Sequence, residues 1–170
     1  MSDCIKYFGK YRGTCTNNAD PKQEGRIQAV CADVSALSPT TWAMPALPVG
    51  GPQYGIFALP ALGSGVWIEF ENGNSENPIW TGCYMGNAGE VPAASKLVPP
   101  GAGITMQTLL QNSLTLSDVE GPTGGFMIKT KSGVTLIVND TGISLRTPQG
   151  ASLVMTAKTV TINDGALVIN

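Results

Sequence analysis

The chain reads as an all-β protein in two parts, a small N-terminal barrel and a C-terminal β-repeat, and three observations carry that reading. In the last third one unit recurs, apolar, any residue, apolar, then a polar or glycine-containing turn: Phe126/Ile128, Leu136/Val138, Ile143/Leu145, Leu153/Met155, Val160/Ile162 and Leu167/Ile169. Successive pairs lie 10, 7, 10, 7 and 7 residues apart, too close for a helical repeat and right for strands of three to five residues. The composition, 21 Gly and 12 Pro with 13% charged residues, favours turns and strands over helices. Ten of the eleven aromatic residues lie at or before Tyr84 and only Phe126 follows, which places a domain boundary between those two positions.

The first part is expected over residues 1–85, with strands at 7–16, 26–31, 55–59, 66–70 and 79–84, enough for a five-stranded barrel. Residues 66–70 and 79–83 form a hairpin whose loop, Glu71 to Pro78, is rich in Asn and Gly and too long for a two-residue turn. Trp67 and Trp80 fall on this hairpin; they either fill the core or offer a stacking platform for bases or sugars, and with no clustered Lys or Arg beside them the core reading is favoured. The segments Trp42–Pro48 and Leu59–Gly65 are apolar loops broken by prolines, barred from the centre of a sheet. Such loops either cap a barrel or form a subunit docking surface.

Residues 86–103 contain Pro92, Pro99 and Pro100 together with Gly86, Gly89, Gly101 and Gly103, and read as an extended connector, locally stiff at Pro99-Pro100. The repeat is expected over 104–170, because Ile104/Met106 and Leu114/Leu116 carry a weaker form of the same unit. Its turns, Lys131-Ser132-Gly133, Asn139-Asp140-Thr141-Gly142, Pro148-Gln149-Gly150 and Asn163-Asp164-Gly165, supply positive or fixed φ for tight bends. Each strand then shows one oily face. Strands so short would leave unpaired edges in a sheet of their own, whereas several chains wound about one axis pair every edge and seal the apolar face inside. The pattern therefore favours an intertwined β-helix of three chains, the other possibility being extra strands laid on the N-terminal domain.

Composition also excludes functions. The net charge is −2, with five basic against seven acidic residues up to position 85 and four against four from 104 onward, so no basic patch is available for a nucleic-acid backbone. There is no apolar run near 18 residues and no secretory leader, which points to synthesis and folding in a cytoplasm. The four cysteines, Cys4, Cys15, Cys31 and Cys83, lack CxxC spacing and there is no histidine, so no zinc site, other metal site or cofactor is expected, and the thiols read as free and mostly buried. No catalytic residue is assigned either. Glu69 and Glu71, at i and i+2, are the nearest thing to an acid/base pair and are read as a solvated hairpin face, while Asp140 and Asp164 sit in turns, where Asp accepts backbone hydrogen bonds.

Two stretches resemble one family, the spike proteins of contractile phage tails and related injection systems, the baseplate assembly protein V group. The N-terminal likeness is Tyr11-Arg12-Gly13, Asn17 to Pro21, Gly25 to Gln28, Trp42-Ala43, Gly55 to Pro60, Gly65 to Phe70 and Asn77 to Gly82; the C-terminal one is Lys131 to Leu136, Asn139 to Ile143, Thr159 to Asn163 and Gly165 to Leu167. The resemblance implies an OB-fold barrel seated on the tail hub, a homotrimeric β-helix directed at the target cell, and a mechanical role in which sheath contraction drives the spike through a bacterial outer membrane. It places the protein in the tail baseplate of a virion, tailocin or other injector. Some members carry a lysozyme domain between barrel and helix, where this chain has only the connector, and some end in a histidine-ligated metal, for which this chain has no ligand. The blunt apolar end, Leu167-Val168-Ile169-Asn170, suggests a separate small protein at the tip. The competing expectation is a monomeric OB module that binds nucleic acid or a glycan.

Overall fold

The computed structural model describes residues 5–99 and 102–169. Cys4, Pro100 and Asn170, on which parts of the thiol, connector and tip expectations rest, lie outside the described residues. The chain divides into two compact units, residues 1–90 and 91–170. Strand is the dominant structure in both, and helix is confined to single short turns.

In the first unit, seven strands occur: β1 (Tyr11–Asn17), β2 (Gln28–Val30), β3 (Met44–Pro45), β4 (Gly50–Gly51), β5 (Tyr54–Gly55), β6 (Gly65–Phe70) and β7 (Pro78–Tyr84). Five form one sheet in the order β2-β1-β6-β7-β3, antiparallel except for the parallel pair β3–β7. The segment 39–46 also hydrogen bonds to β2, through Thr40 N to Ala29 O (2.8 Å) and both Ile27–Ala43 bonds, and to β7, through Ala46 N to Trp80 O (2.9 Å). The two edges of the sheet are thus joined through this one segment. Alternation decides what lies inside: Val66, Ile68 and Phe70 of β6 are buried with Cys15, Ile27, Ala29, Cys31, Ala43 and Trp80, while Trp67 and Glu69 face out. Gly13 lets β1 run close over this core, since a Cβ there would lie 3.1 Å from Cys31 Sγ and 3.2 Å from Ile68.

The strand expected at 55–59 does not form. Only Gly55 is extended there, as the end of the small β4–β5 hairpin, and its place in the sheet is taken by Met44–Pro45. Pro45 is tolerated because β3 is the last strand in the sheet order, where a missing N–H breaks no ladder.

In the second unit, a 3-10 turn at Ala93–Leu97 precedes eight strands: β8 (Gly103–Gln107), β9 (Ser113–Ser117), β10 (Gly125–Lys129), β11 (Thr135–Asn139), β12 (Gly142–Arg146), β13 (Ser152–Thr156), β14 (Thr159–Ile162) and β15 (Leu167–Ile169). The stretch expected to be an extended connector is therefore partly wound, and Ala94 N donates to Gln107 Oε1 at 2.9 Å. The eight strands form one antiparallel meander in strict sequence order. Here the structure departs from the expected intertwining, because each strand takes its ladder partner from its own chain and only β8 and β15 keep an open edge. Turns of two to seven residues make this possible, since they return the chain directly alongside itself.

Candidate functional site

The registers of the meander stack its side chains into columns. One column runs Ile104, Leu116, Phe126, Val138, Ile143, Met155, Val160, Ile169, and the other Met106, Leu114, Ile128, Leu136, Leu145, Leu153, Ile162, Leu167. Members of the two columns are two residues apart in every strand, so both lie on the same face. That face is two unbroken apolar ladders. The column between them, on the opposite face, is Thr105, Thr115, Met127, Ile137, Ser144, Val154, Thr161, Val168, and mixes hydroxyls with aliphatics.

None of the sixteen ladder residues is buried, and Ile104, Met106, Leu116, Ile128, Val138, Ile143, Leu145, Met155, Leu167 and Ile169 are all exposed, from 38% for Met155 to 64% for Ile104. A single sheet can cover its backbone but not its own oily side. An apolar patch this large marks an interaction surface. No charged residue stands in either ladder; the charges of the second unit lie on the strand ends and turns instead.

The residues singled out in the sequence of the first unit go to separate places. Trp80 is in the core, with Nε1–H donating to Gly25 O at 3.0 Å, and Trp67 is on the outer face against Tyr84 (ring centroids 5.1 Å apart). Arg12 lies over both outer rings at 5.7 and 5.3 Å, a cation–π arrangement that occupies the faces a base would need. Glu69 accepts a hydrogen bond from Lys10 Nζ, which also donates to Thr81 Oγ1 (3.0 Å), while Glu71 falls past the end of β6 in a 3-10 turn. The two carboxylates share neither a strand nor a pocket. Asp140 Oδ2 accepts from Gly121 N at 2.8 Å and Asp164 Oδ1 meets Arg146 at 3.2 Å, so both act as turn fasteners.

The most heavily bonded charge is Asp20, whose side chain is only 3% exposed. It accepts from Arg26 Nε (3.1 Å) and from the backbone N–H groups of Lys22 (3.0 Å), Glu24 (2.8 Å) and Arg26 (3.2 Å). The Arg26 guanidinium, reinforced by those N–H donors, holds this carboxyl well below the usual carboxylate range. Cys15 and Cys31 are buried free thiols, and burial pushes Cys31 up to about 11. Cys83 is free but exposed. Among the described residues no group of three His, Cys, Asp or Glu side chains is arranged to hold a metal ion.

Beside β7, residues 46–48, 56, 58–60 and 80–83 line an open apolar groove of about 520 Å³. Tyr54, Ile56, Phe57 and Leu62 are exposed on the neighbouring loops. Of these, residues 46–48, Leu59, Pro60 and Leu62 belong to the proline-broken segments that the sequence offered as either barrel caps or a docking surface.

Residues 11–84 match the type VI secretion system/phage-baseplate injector OB domain, and residues 103–168 match the phage baseplate V C-terminal trimerisation domain. The chain belongs to the phage baseplate V spike family. No curated protein matches it. The first unit of this baseplate spike is thus an OB domain and the second a trimerisation domain. The spike is a homotrimeric structural component of a tail baseplate, and both matched families are structural. The six stronger ladder pairs were visible in the sequence. Ile104/Met106 and Leu114/Leu116 gave a weaker signal because their turns are less regular, yet they extend the same two columns.

Proposed function

We propose that the chain is the central spike of a contractile tail, with residues 1–85 as a five-stranded OB barrel, 86–103 as connector and 104–170 as one third of a trimeric β-helix. Three meanders turn their ladders inward, so that sixteen apolar side chains from each chain meet around a common dry axis. The observation that carries this is that every ladder residue is left unburied by its own chain.

The mechanism is load transfer. Strands run across the rod and their hydrogen bonds along it, so axial force passes through a continuous backbone ladder backed by packed side chains, with no flexible element to buckle. Sheath contraction then drives the rod through the bacterial outer membrane. The groove beside β7 and the exposed Tyr54, Ile56 and Phe57 suit docking of the OB barrel to the tail hub. The exposed apolar edge of β15 suits a separate tip protein.

Light scattering on the purified chain tests the reading. The expected mass is three times the 17.7 kDa of one chain, and Leu136→Asp or Ile162→Asp, each burying a carboxylate three times over, abolishes the trimer. A stable, folded monomer of the unaltered chain overturns it.

A further inference from the structure

The turns of the meander project from two opposite rims, and their charges are sorted. One rim carries Asp118 and Glu120 between β9 and β10, Asp140 between β11 and β12, and Lys158 between β13 and β14. The other carries Lys129 at the end of β10, Lys131 between β10 and β11, Arg146 at the end of β12, and Asp164 between β14 and β15. Read along the stack, the first rim is acidic, acidic, basic and the second basic, basic, acidic. Each level on one rim is displaced by about one strand, roughly 4.8 Å, from its counterpart on the other, and the displacement is the same at all three levels.

Asp140 and Arg146 already have partners within the chain, Gly121 N and Asp164. Asp118, Glu120, Lys129, Lys131 and Lys158 have exposed side chains and no ionic partner among the described residues. Strands of five residues hold the rims roughly 14 Å apart, so a charge on one rim cannot pair with the other rim of its own sheet.

We infer that the acidic rim of one copy docks against the basic rim of the next, Asp118 and Glu120 meeting Lys129 and Lys131, with Lys158 meeting Asp164 further along. A contact between two different patches, repeated head to tail, closes a ring when the turn angle allows it, and three sheets closing this way form a three-sided tube with the ladders inside. The single one-strand offset sets opposite charges together at all three levels, whereas a slip by two strands leaves one level unmatched and opposes Asp140 to Asp164 or Lys158 to Arg146, and an inverted sheet opposes Asp140 to Asp140 or Arg146 to Arg146 at the middle level. The rims therefore choose the register and direction of the copies, which non-directional apolar packing does not do. This rests on the trimeric, ladder-inward reading above and adds how the copies are aligned.

The test uses the full-length chain at 50 and 500 mM NaCl, with light scattering for assembly and circular dichroism for fold. Lys129→Glu with Lys131→Glu is expected to weaken trimer association at least about tenfold at 50 mM NaCl, and less at 500 mM. Adding Asp118→Lys and Glu120→Lys to the same chain is expected to restore association, a rescue that can come only through another copy. In parallel, Glu120→Cys paired with Lys131→Cys should yield chain-to-chain disulfides on oxidation, and Glu120→Cys paired with Lys158→Cys, both on one rim, should not. Unchanged association of the one-rim variant at low salt, or a folded four-site variant that fails to recover, overturns the rim pairing and leaves the rims to other baseplate proteins. A monomeric unaltered chain instead overturns the ladder-inward reading itself.

Discussion

Leu145 and Ser144 are neighbours in β12 that point to opposite faces of the meander, and changing each in turn separates the two sides. Leu145 stands in its ladder between Leu136 and Leu153 and remains 43% exposed in the single chain. Full burial of a leucine side chain contributes about 1.5–3 kcal/mol, so covering the remaining 43% contributes about 0.6–1.3 kcal/mol per chain and about 2–4 kcal/mol per trimer. Leu145→Ala should therefore lower the trimer association constant by about 30- to 600-fold, read by light scattering over a dilution series. Leu145→Asp places three carboxylates on the axis, each with a desolvation penalty of several kcal/mol, and should leave no trimer at any accessible concentration. Ser144→Asp, set between Ile137 and Val154 on the mixed face, should assemble. If Ser144→Asp dissociates the protein while Leu145→Asp assembles, the assignment of the inner face is wrong.

Three further outcomes follow from the geometry. Because the Asp20 carboxyl titrates below its unfolded value, its contribution to stability is present above the ordinary carboxylate pKa near about 4 and is lost as pH falls toward the folded value; Asp20→Asn should flatten the acid limb of thermal melts recorded from pH 7 to pH 2. Trp80→Phe keeps the ring in the core but strands the Gly25 carbonyl, which costs about 1–3 kcal/mol and should lower Tm of the isolated transition by about 4–8 °C for each kcal/mol. Gly142 has φ 141° and any Cβ would run into the Met155 carbonyl oxygen, so Gly142→Ala should disrupt the β12–β13 ladder and reduce trimer yield, whereas Gly150→Ala, with open space around it, should be tolerated better despite its positive φ.

Period-two apolarity made the ladders legible, because the side-chain period of a strand fixes which residues share a face. It did not reveal which strand pairs with which: the same alternation serves a meander within one chain or strands supplied by three. Turn lengths decided that, and they decided it for pairing within the chain. In the OB unit, Val66, Ile68 and Phe70 announced an inward face, but the exchange of residues 55–59 for Met44–Pro45 was hidden. A proline-bearing dipeptide has no strand propensity of its own and is extended only because β7 lies beside it. The groove beside β7 was legible only as apolar loops. The sorting of charge between rims was not legible at all in a composition of four basic and four acidic residues, since it emerges only after the registers assign each turn to a side.

The strictly sequential order of the meander makes reach a matter of counting. Inserting or deleting one hairpin, two strands with their turns, moves the far end by roughly 10 Å while returning the backbone to the same rim and heading, with the oily columns unbroken. A needle built this way can be lengthened or shortened in fixed steps without redesigning its cross-section, and a single-strand step is forbidden because it would reverse the direction of everything beyond it.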